Sequence, residues 1–194
     1  MTLLVVGLLL FLGTHALSMA RGLRAELIGR LGAGGFKAVY SAGSLIGLAL
    51  IVWGFGAYRA SGYIPVWEPP RAMAHVATTL MLPAMILLFV YLFPKGRLKA
   101  AVGHPMLAMI KFWALAHLLA NGDLGSIVLF GSFLAYGVAA RISVKRRDGA
   151  AASSAAVAWG VYDGLAIVLG IAATLAFIYG LHALLIGVPV LAPR

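Results

Sequence analysis

The chain has 194 residues, of which 63% are hydrophobic and 10% are charged, and its formal net charge is +10. Soluble domains carry about 25% charged residues, so this composition excludes an ordinary soluble domain. Its apolar runs, each about 20 residues long, instead predict one integral membrane domain over residues 1–194. The positive charge lies between those runs, where membrane topology accounts for it, so we expect no nucleic-acid partner.

Six apolar runs predict an all-α, polytopic transmembrane bundle of about six helices. The first run resembles a signal peptide in length, but its arginines follow the apolar stretch instead of preceding it, which favours a retained span. Pro83 predicts a kink in the third helix. In chain order the predicted helices are Thr2–Ala20, Phe36–Ala57, Met73–Phe93, Pro105–Ala120, Leu124–Ala140 and Asp163–Gly187.

Lysines and arginines are concentrated in the connecting segments on one side of the predicted bundle. The side that the positive-inside rule assigns to the cytoplasm carries Arg21, Arg24, Arg30, Lys37, Lys95, Arg97, Lys99, Arg141, Lys145, Arg146 and Arg147. The opposite side carries only Arg59, Arg71 and Arg194. Cytoplasmic loops hold the excess of cations, so both termini are predicted on the non-cytoplasmic side.

Five histidines stand out among so few polar residues. Imidazoles inside a membrane are costly, and they mark functional sites unless they are packed and hydrogen-bonded to a neighbouring helix. By predicted depth, His15 and His104 lie toward the cytoplasmic side, and His75, His117 and His182 toward the outer side. His104 and His117 are about 20 Å apart along one helix and about 220° apart around it, so they cannot share a metal.

The spacing of the histidines favours haem over zinc. Structural zinc needs four ligands at short spacing, and none occur, and the chain has no cysteine. Widely spaced histidines on different helices suit a b-type haem held axially. Trp113 could frame a porphyrin or could equally be ordinary packing, and Asn121 could support His117 as Ser18 could support His15. Candidate partners for haem propionates are Arg21, Arg24, Arg59 and Arg71.

Three motifs resemble a known family. The stretches "THALSMARGLR" at His15, "VWEPPR" at Val66–Arg71 and "GHPMLAMIKFWALAHLLANGD" at Gly103–Asp123 are similar to the NnrU family of bacterial membrane proteins. That family is related to the 15-cis-zeta-carotene isomerase of plants and cyanobacteria. The resemblance runs from the first predicted helix to at least the fifth.

The resemblance implies a location, a cofactor and a ligand pair. It implies a bacterial inner-membrane protein associated with denitrification and nitric oxide metabolism. The related isomerase binds haem b through two histidines and isomerises a carotenoid double bond when its iron is reduced; those ligands carry over to His15 and His117. The isomerase has a cysteine three residues before the second histidine, implicated in ligand switching, where this chain has Ala114.

The expected protein therefore binds one haem b through His15 and His117 and acts in redox chemistry or on a small gaseous or lipophilic ligand. A second hypothesis is a transmembrane electron carrier with two haems, in which His15 pairs with His104 and His75 with His117. A third is a haem-dependent cis-trans isomerase of a carotenoid-like polyene, and a fourth is a non-haem accessory membrane protein. Apart from such a ligand, the lipid bilayer is the expected partner.

Overall fold

The computed structural model describes residues 1–148 and 157–191, and within these ranges the ordered elements are helices joined by short connections. The all-α prediction is confirmed. The helices are α1 (Thr2–Ala16), α2 (Arg21–Ala60), α3 (Ala72–Leu92), α4 (Arg97–Val102), α5 (Pro105–Ala120), α6 (Leu124–Asp148), α7 (Val161–Ala176) and α8 (His182–Ile186), with a π-helical turn, Phe177–Leu181, joining the last two.

Four of these helices are long and apolar enough to cross a membrane: α2, α3, α6, and the continuous run Val161–Ile186. The remaining two predicted spans, α1 and α5, are apolar but have only 15 and 16 residues. At about 1.5 Å per residue they are shorter than the hydrocarbon core of about 30 Å. The membrane-spanning character of the chain thus rests on four helices, with two shorter apolar helices between them.

The second predicted span begins earlier in the structure than the apolar pattern indicates. The pattern predicts a start at Phe36, but α2 is helical from Arg21, because the charged residues of Arg21–Leu31 interrupt the apolar run without ending the helix. Gly32 has φ 70° and ψ 165°, which breaks the helix there; a glycine tolerates this conformation at no steric cost. We call Arg21–Leu31 the N-terminal segment of α2.

The helices pack in the spatial order α2, α1, α6, α5, α3, α7. Glycines allow the closest approach, between α1 and α2: a Cβ on Gly47 would lie 2.7 Å from the backbone nitrogen of Phe11. Gly43 lies one turn earlier on the same helix, and a Cβ there would lie 3.0 Å from Thr14 Oγ1. Around the central cluster of Leu4, Leu8, Ile51, Ala114, Leu129 and Phe130, the outer faces carry many exposed large apolar side chains.

The bundle has two chemically different ends. Asp163 at the start of α7 bonds the start of α4, and the hydroxyl of Tyr136 on α6 is hydrogen-bonded to Ser18 after α1. These contacts gather the cation-rich connections at what we call the basic end. At the other end, Arg59 of α2 donates a hydrogen bond of 2.9 Å to the carbonyl of Ile186. We call this the opposite end.

Candidate functional site: a cavity lined by two histidines

His117 lies near the C-terminus of α5 with one ring nitrogen committed to the backbone. Its Nδ1 is 2.8 Å from the carbonyl oxygen of Trp113, one turn earlier. A carbonyl only accepts hydrogen bonds, so Nδ1 carries the hydrogen and the neutral ring has its lone pair on Nε2. The ring stacks on Phe130 with centroids 4.4 Å apart, which fixes its orientation and leaves Nε2 as the nitrogen able to bind a ligand.

His182 repeats this arrangement on the other side of the same cavity. Its Nδ1 is 2.6 Å from the carbonyl oxygen of Val188, so its Nε2 also keeps the lone pair. The ring follows the π-helical turn, an element that occurs frequently at functional sites. Gly187, at φ 80°, reverses the chain after α8 and returns Val188 to His182. The sequence predicted His182 on the same side as His117, and the two residues line one cavity, but His182 was not selected as a ligand. The glycine five residues later was the available signal.

The two imidazoles line one cavity at the opposite end of the bundle, between α3, α5 and the C-terminal run from α7 onward. Its volume is about 140 Å³. The lining is mostly apolar, and its few polar or sulfur-bearing members besides the histidines are Thr78, Met81, Met85, Asn121 and Thr174. Two imidazoles in a mostly apolar lining, each with its Nδ1 held by a backbone carbonyl, form a site that can ligate a metal centre or bind a small polar ligand.

Within the described ranges, no three His, Cys, Asp or Glu side chains are grouped so that they could hold a metal ion together. A bare-ion site of the structural zinc type therefore has no support there, since it needs four protein ligands. Haem iron differs, because the porphyrin supplies four nitrogens and the protein supplies only the axial ligands. The donor set of the cavity matches that requirement.

His15 lies at the basic end, away from this cavity. Its Nδ1 is 2.8 Å from the carbonyl oxygen of Phe11, which leaves its Nε2 available as well. Its ring contacts Tyr40, with centroids 5.5 Å apart, and Tyr136, at 6.4 Å. His15 thus shares the internal hydrogen bond of His117 and His182, and its ring neighbours are the phenyl ring of Phe11, at 4.2 Å, and the phenol rings of Tyr40 and Tyr136.

The structure does not bring His15 and His117 to one site. Their ring neighbours on α6, Tyr136 and Phe130, are six residues apart, or about 9 Å along the helix axis. Two axial ligands of one metal would have their Nε2 atoms about 4 Å apart, since each metal–nitrogen bond is about 2 Å long. The ring of Phe133 lies 5.7 Å from Phe11, a ring neighbour of His15, and 5.4 Å from Trp113, a ring neighbour of His117. Their pairing stays a prediction from the resemblance.

The remaining candidate ligands and cations lie in several places. His75 is exposed on α3, and its neighbours Ala74 and Thr78 line the cavity while its own ring does not. His104 is the N-cap residue of α5, with Pro105 in the first turn, where proline is favoured. Arg71 directly precedes α3 at the opposite end. Arg21 and Arg24 belong to the N-terminal segment of α2 at the basic end.

Asn121 and Ser18 support the helices and not the imidazoles. Asn121 Nδ2 donates a 2.8 Å hydrogen bond to the carbonyl oxygen of His117, and Ser18 Oγ donates one of 2.8 Å to the carbonyl oxygen of His15. Both satisfy carbonyls that a helix terminus leaves free. The sequence predicted the correct histidine for Asn121 and for Ser18. Each binds the backbone carbonyl of that histidine, however, and not its ring.

The "VWEPPR" loop and the "NGD" turn belong to two different motifs of the resemblance. In the structure their backbones are hydrogen-bonded to each other. The backbone N–H groups of Val66 and Trp67 donate to the carbonyl oxygen of Gly122 at 2.8 and 3.0 Å, and Leu124 donates to the carbonyl oxygen of Ile64 at 2.9 Å. A Cβ at Gly122 would collide with the carbonyl of Trp67, which explains the glycine. The paired segments adjoin the cavity through Asn121.

Ala114, which stands where the related isomerase has its switching cysteine, is fully buried in the central cluster. The buried cluster around it is composed of apolar side chains from α1, α2 and α6. The residues that line the histidine cavity do not include it. This position therefore packs the bundle and does not face the two available imidazole nitrogens.

Fold and cavity together define an all-helical protein with membrane-spanning helices and a histidine-lined cavity among them. A family model described as "NnrU protein" matches residues 3–190, so the chain belongs to the NnrU family. This confirms the resemblance carried by the three motifs. No curated protein matches the chain, and no solved structure matches it.

Proposed function

We propose that this chain is a haem b-binding integral membrane protein of the bacterial inner membrane, in which six helices cross the bilayer and both termini lie on the non-cytoplasmic side. The observation that carries the proposal is the pair of imidazoles in one apolar cavity, each with Nδ1 bonded to a backbone carbonyl. A histidine that ligates a metal typically donates its other ring N–H in this way, which fixes its orientation and raises its basicity.

The two imidazoles of the cavity are ligands of the kind that haem iron takes from a protein. The volume of the cavity limits the size of the ligand that it can enclose. Pockets for drug-sized ligands span about 300–1,000 Å³, whereas this cavity encloses about 140 Å³. A gaseous ligand enters such a space unaided. For a haem, the cavity would have to widen.

His117 is the proposed axial ligand, because the family resemblance and the cavity both select it. His182 is the second imidazole of the cavity, while the resemblance favours His15 as the second ligand. Asn121 holds the end of α5 through its bond to the His117 carbonyl, and Arg71, at the same end of the bundle, is the proposed partner for a propionate. A bound haem supplies one-electron redox chemistry and an iron site for small ligands, which suits the proposed association with denitrification and nitric oxide metabolism.

The test is haem content in single-histidine variants. The chain is expressed with ample haem, purified in detergent, and its reduced-minus-oxidised absorption spectrum is recorded with haem quantified per chain. We expect a Soret band at about one haem per chain, lost or strongly reduced in His117→Ala. His75→Ala removes an exposed imidazole at the same end that does not line the cavity. It should keep the band if one haem is bound and lose part of it in the two-haem layout, where His75 is a ligand.

Two further variants identify the second ligand. Loss of the band in His182→Ala with retention in His15→Ala assigns the pair to the cavity, and the reverse assigns it to the family-derived pair. Two haems per chain would support the two-haem layout. A wild-type protein that is folded but shows no Soret band refutes the proposal.

A further inference from the structure

A second cavity lies at the basic end, apart from the histidine cavity. It has a volume of about 290 Å³ and is lined by Ser18, Arg24, Phe36, Lys37, Tyr40 and Ser41. Two of these side chains are cations, three are hydroxyls, and none is a carboxylate. The Ser18 hydroxyl already donates to the carbonyl oxygen of His15, so Arg24, Lys37, Tyr40 and Ser41 are the lining residues whose charge and hydroxyls suit an anionic oxygen group such as a phosphate.

Arg24 occupies an unusual place on its helix. In the N-terminal segment of α2, Leu27, Ile28 and Leu31 lie within about 60° of Arg24 around the axis, so this arginine projects from the apolar face. Its guanidinium carbon is 5.5 Å from the ring centroid of Phe36, a side chain that is only 8% exposed. Arg24 is exposed, so its guanidinium is open to an anion that approaches from outside the chain.

The nearest carboxylate on this segment is engaged elsewhere. Glu26 forms an ion pair with Arg30, one turn away. Glu26 lies about 160° around the axis from Arg24, so it belongs to the other face of the helix. The two cations of the cavity therefore face no acidic lining residue, and an anion from outside the chain has room to bind between them.

We propose that this cavity binds the phosphate of an anionic phospholipid. The break at Gly32 sets the segment Arg21–Leu31 off from the apolar remainder of α2, as expected for a helix lying at the membrane surface. Leu23 and Leu31 of the same segment are 48% and 46% exposed. They provide apolar surface for acyl chains, which free phosphate does not have. The basic end also collects most of the cations of the chain, and cationic surfaces attract anionic lipids.

Lipid-dependent stabilisation of the purified protein tests the proposal. The thermal midpoint in detergent is measured while phosphatidylglycerol, phosphatidylcholine or inorganic phosphate is added, using wild type and the double variant Arg24→Gln/Lys37→Gln. The matched control is Arg21→Gln/Arg30→Gln, which removes two charges from the same segment without touching the cavity lining. Circular dichroism confirms that each variant is folded.

We expect phosphatidylglycerol to raise the midpoint of wild type and of the control, and phosphatidylcholine to do so only weakly. In the cavity variant the apparent affinity for phosphatidylglycerol should fall about tenfold or more, as expected for the loss of two cations. The proposal is overturned if the cavity variant responds as wild type does, if both lipids act equally on wild type, or if inorganic phosphate alone produces the full shift. The assay works equally on haem-free protein, so it is independent of the haem proposal.

Discussion

Asp163 is a carboxylate that is only 3% exposed, yet it does not line either cavity. Its oxygens accept backbone hydrogen bonds from Gly160 and Arg97, both at 3.0 Å, and from Leu98 at 2.9 Å. The carboxylate thus joins the start of α7 to the start of α4. Gly96 is part of the same contact, because a Cβ there would lie 2.5 Å from Asp163 Oδ1.

Replacing this carboxylate by an amide is expected to destabilise the protein. In Asp163→Asn the nitrogen of the amide is a donor facing a backbone N–H, so at least one of the three bonds is lost, and the remaining bonds lose their charge assistance. We expect the thermal midpoint in detergent to fall by several degrees.

The matched control for Asp163 is Asp123→Asn. Asp123 Oδ1 accepts one bond, from the backbone N–H of Ser126 at the start of α6, and asparagine caps helices as well as aspartate does. The midpoint of this variant should remain close to wild type. An equal loss in both variants would show that the network around Asp163 adds nothing specific.

Lys111 has no explanation from the sequence, and the structure supplies one for its aliphatic part. A Cβ on Gly137 would lie 3.1 Å from Lys111 Cγ, so the side chain of Lys111 lies against the glycine surface of α6 and is half-buried. Lysine commonly covers apolar surface with its methylenes while its ammonium reaches a wetter region. The charge is therefore compatible with a place inside α5.

At the scale of the elements, the α1–α2 contact depends on glycines of each helix that lie directly against the backbone of the other helix. A Cβ on Gly7 would lie 2.6 Å from the backbone nitrogen of Ile51, and a Cβ on Gly54 would collide with the backbone of Leu4. Small residues allow such close approach, and dispersion between the backbones then stabilises the pair.

Gly54→Ala is expected to destabilise this pair by about 1–3 kcal/mol, the usual cost of overpacking. Gly56→Ala is the control on the same helix: nothing lies within 4 Å of its added Cβ, so the better helix propensity of alanine should stabilise it by about 0.5–1 kcal/mol. Urea unfolding in mild detergent measures both free energies. Opposite signs are expected, and equal signs would contradict the packing argument.

The apolar pattern predicted the helices well where one period continued without interruption. The predicted and observed bounds of Pro105–Ala120 coincide, because His104 and Pro105 mark one end and the NGD turn marks the other. The boundaries failed where charged residues remain helical, as in Arg21–Leu31 of α2 and in the extension of α6 beyond Ala140. A hydropathy pattern indicates which residues are buried in lipid, whereas a helix continues for as long as its backbone N–H and C=O groups remain hydrogen-bonded.

The histidines show a different limit. The number of histidines could be read from the sequence, as could the need for a partner of His117 on another helix, and their depth in the membrane stays a prediction. Which partner it meets depends on the spatial order of the helices and on the reversal at Gly187, and neither follows from spacing along the chain. The pairing of His15 with His117 rests on motif similarity, which identifies residues but gives no distance between them.

At the scale of the whole molecule, the two ends differ in charge in the way that a cytoplasmic and an outer face do. The basic end holds the N-terminal segment of α2, α4, and the C-terminal turns of α6 with Lys145, Arg146 and Arg147. The opposite end holds the "VWEPPR" loop and the histidine cavity. Cations are retained on the cytoplasmic side of bacterial membranes, so the cavity should open toward the outer side.

Single cysteines test this orientation directly, because the natural chain contains none. Ser61→Cys lies after α2 at the opposite end, Ala101→Cys lies in α4 at the basic end, and both positions are exposed. A membrane-impermeant maleimide should label Ser61→Cys in spheroplasts and Ala101→Cys only after the membrane is permeabilised; the cysteine-free parent is the background control. Labelling of both positions from outside would contradict a bilayer-crossing α3, and labelling of Ala101→Cys alone would invert the topology and place the histidine cavity on the cytoplasmic side.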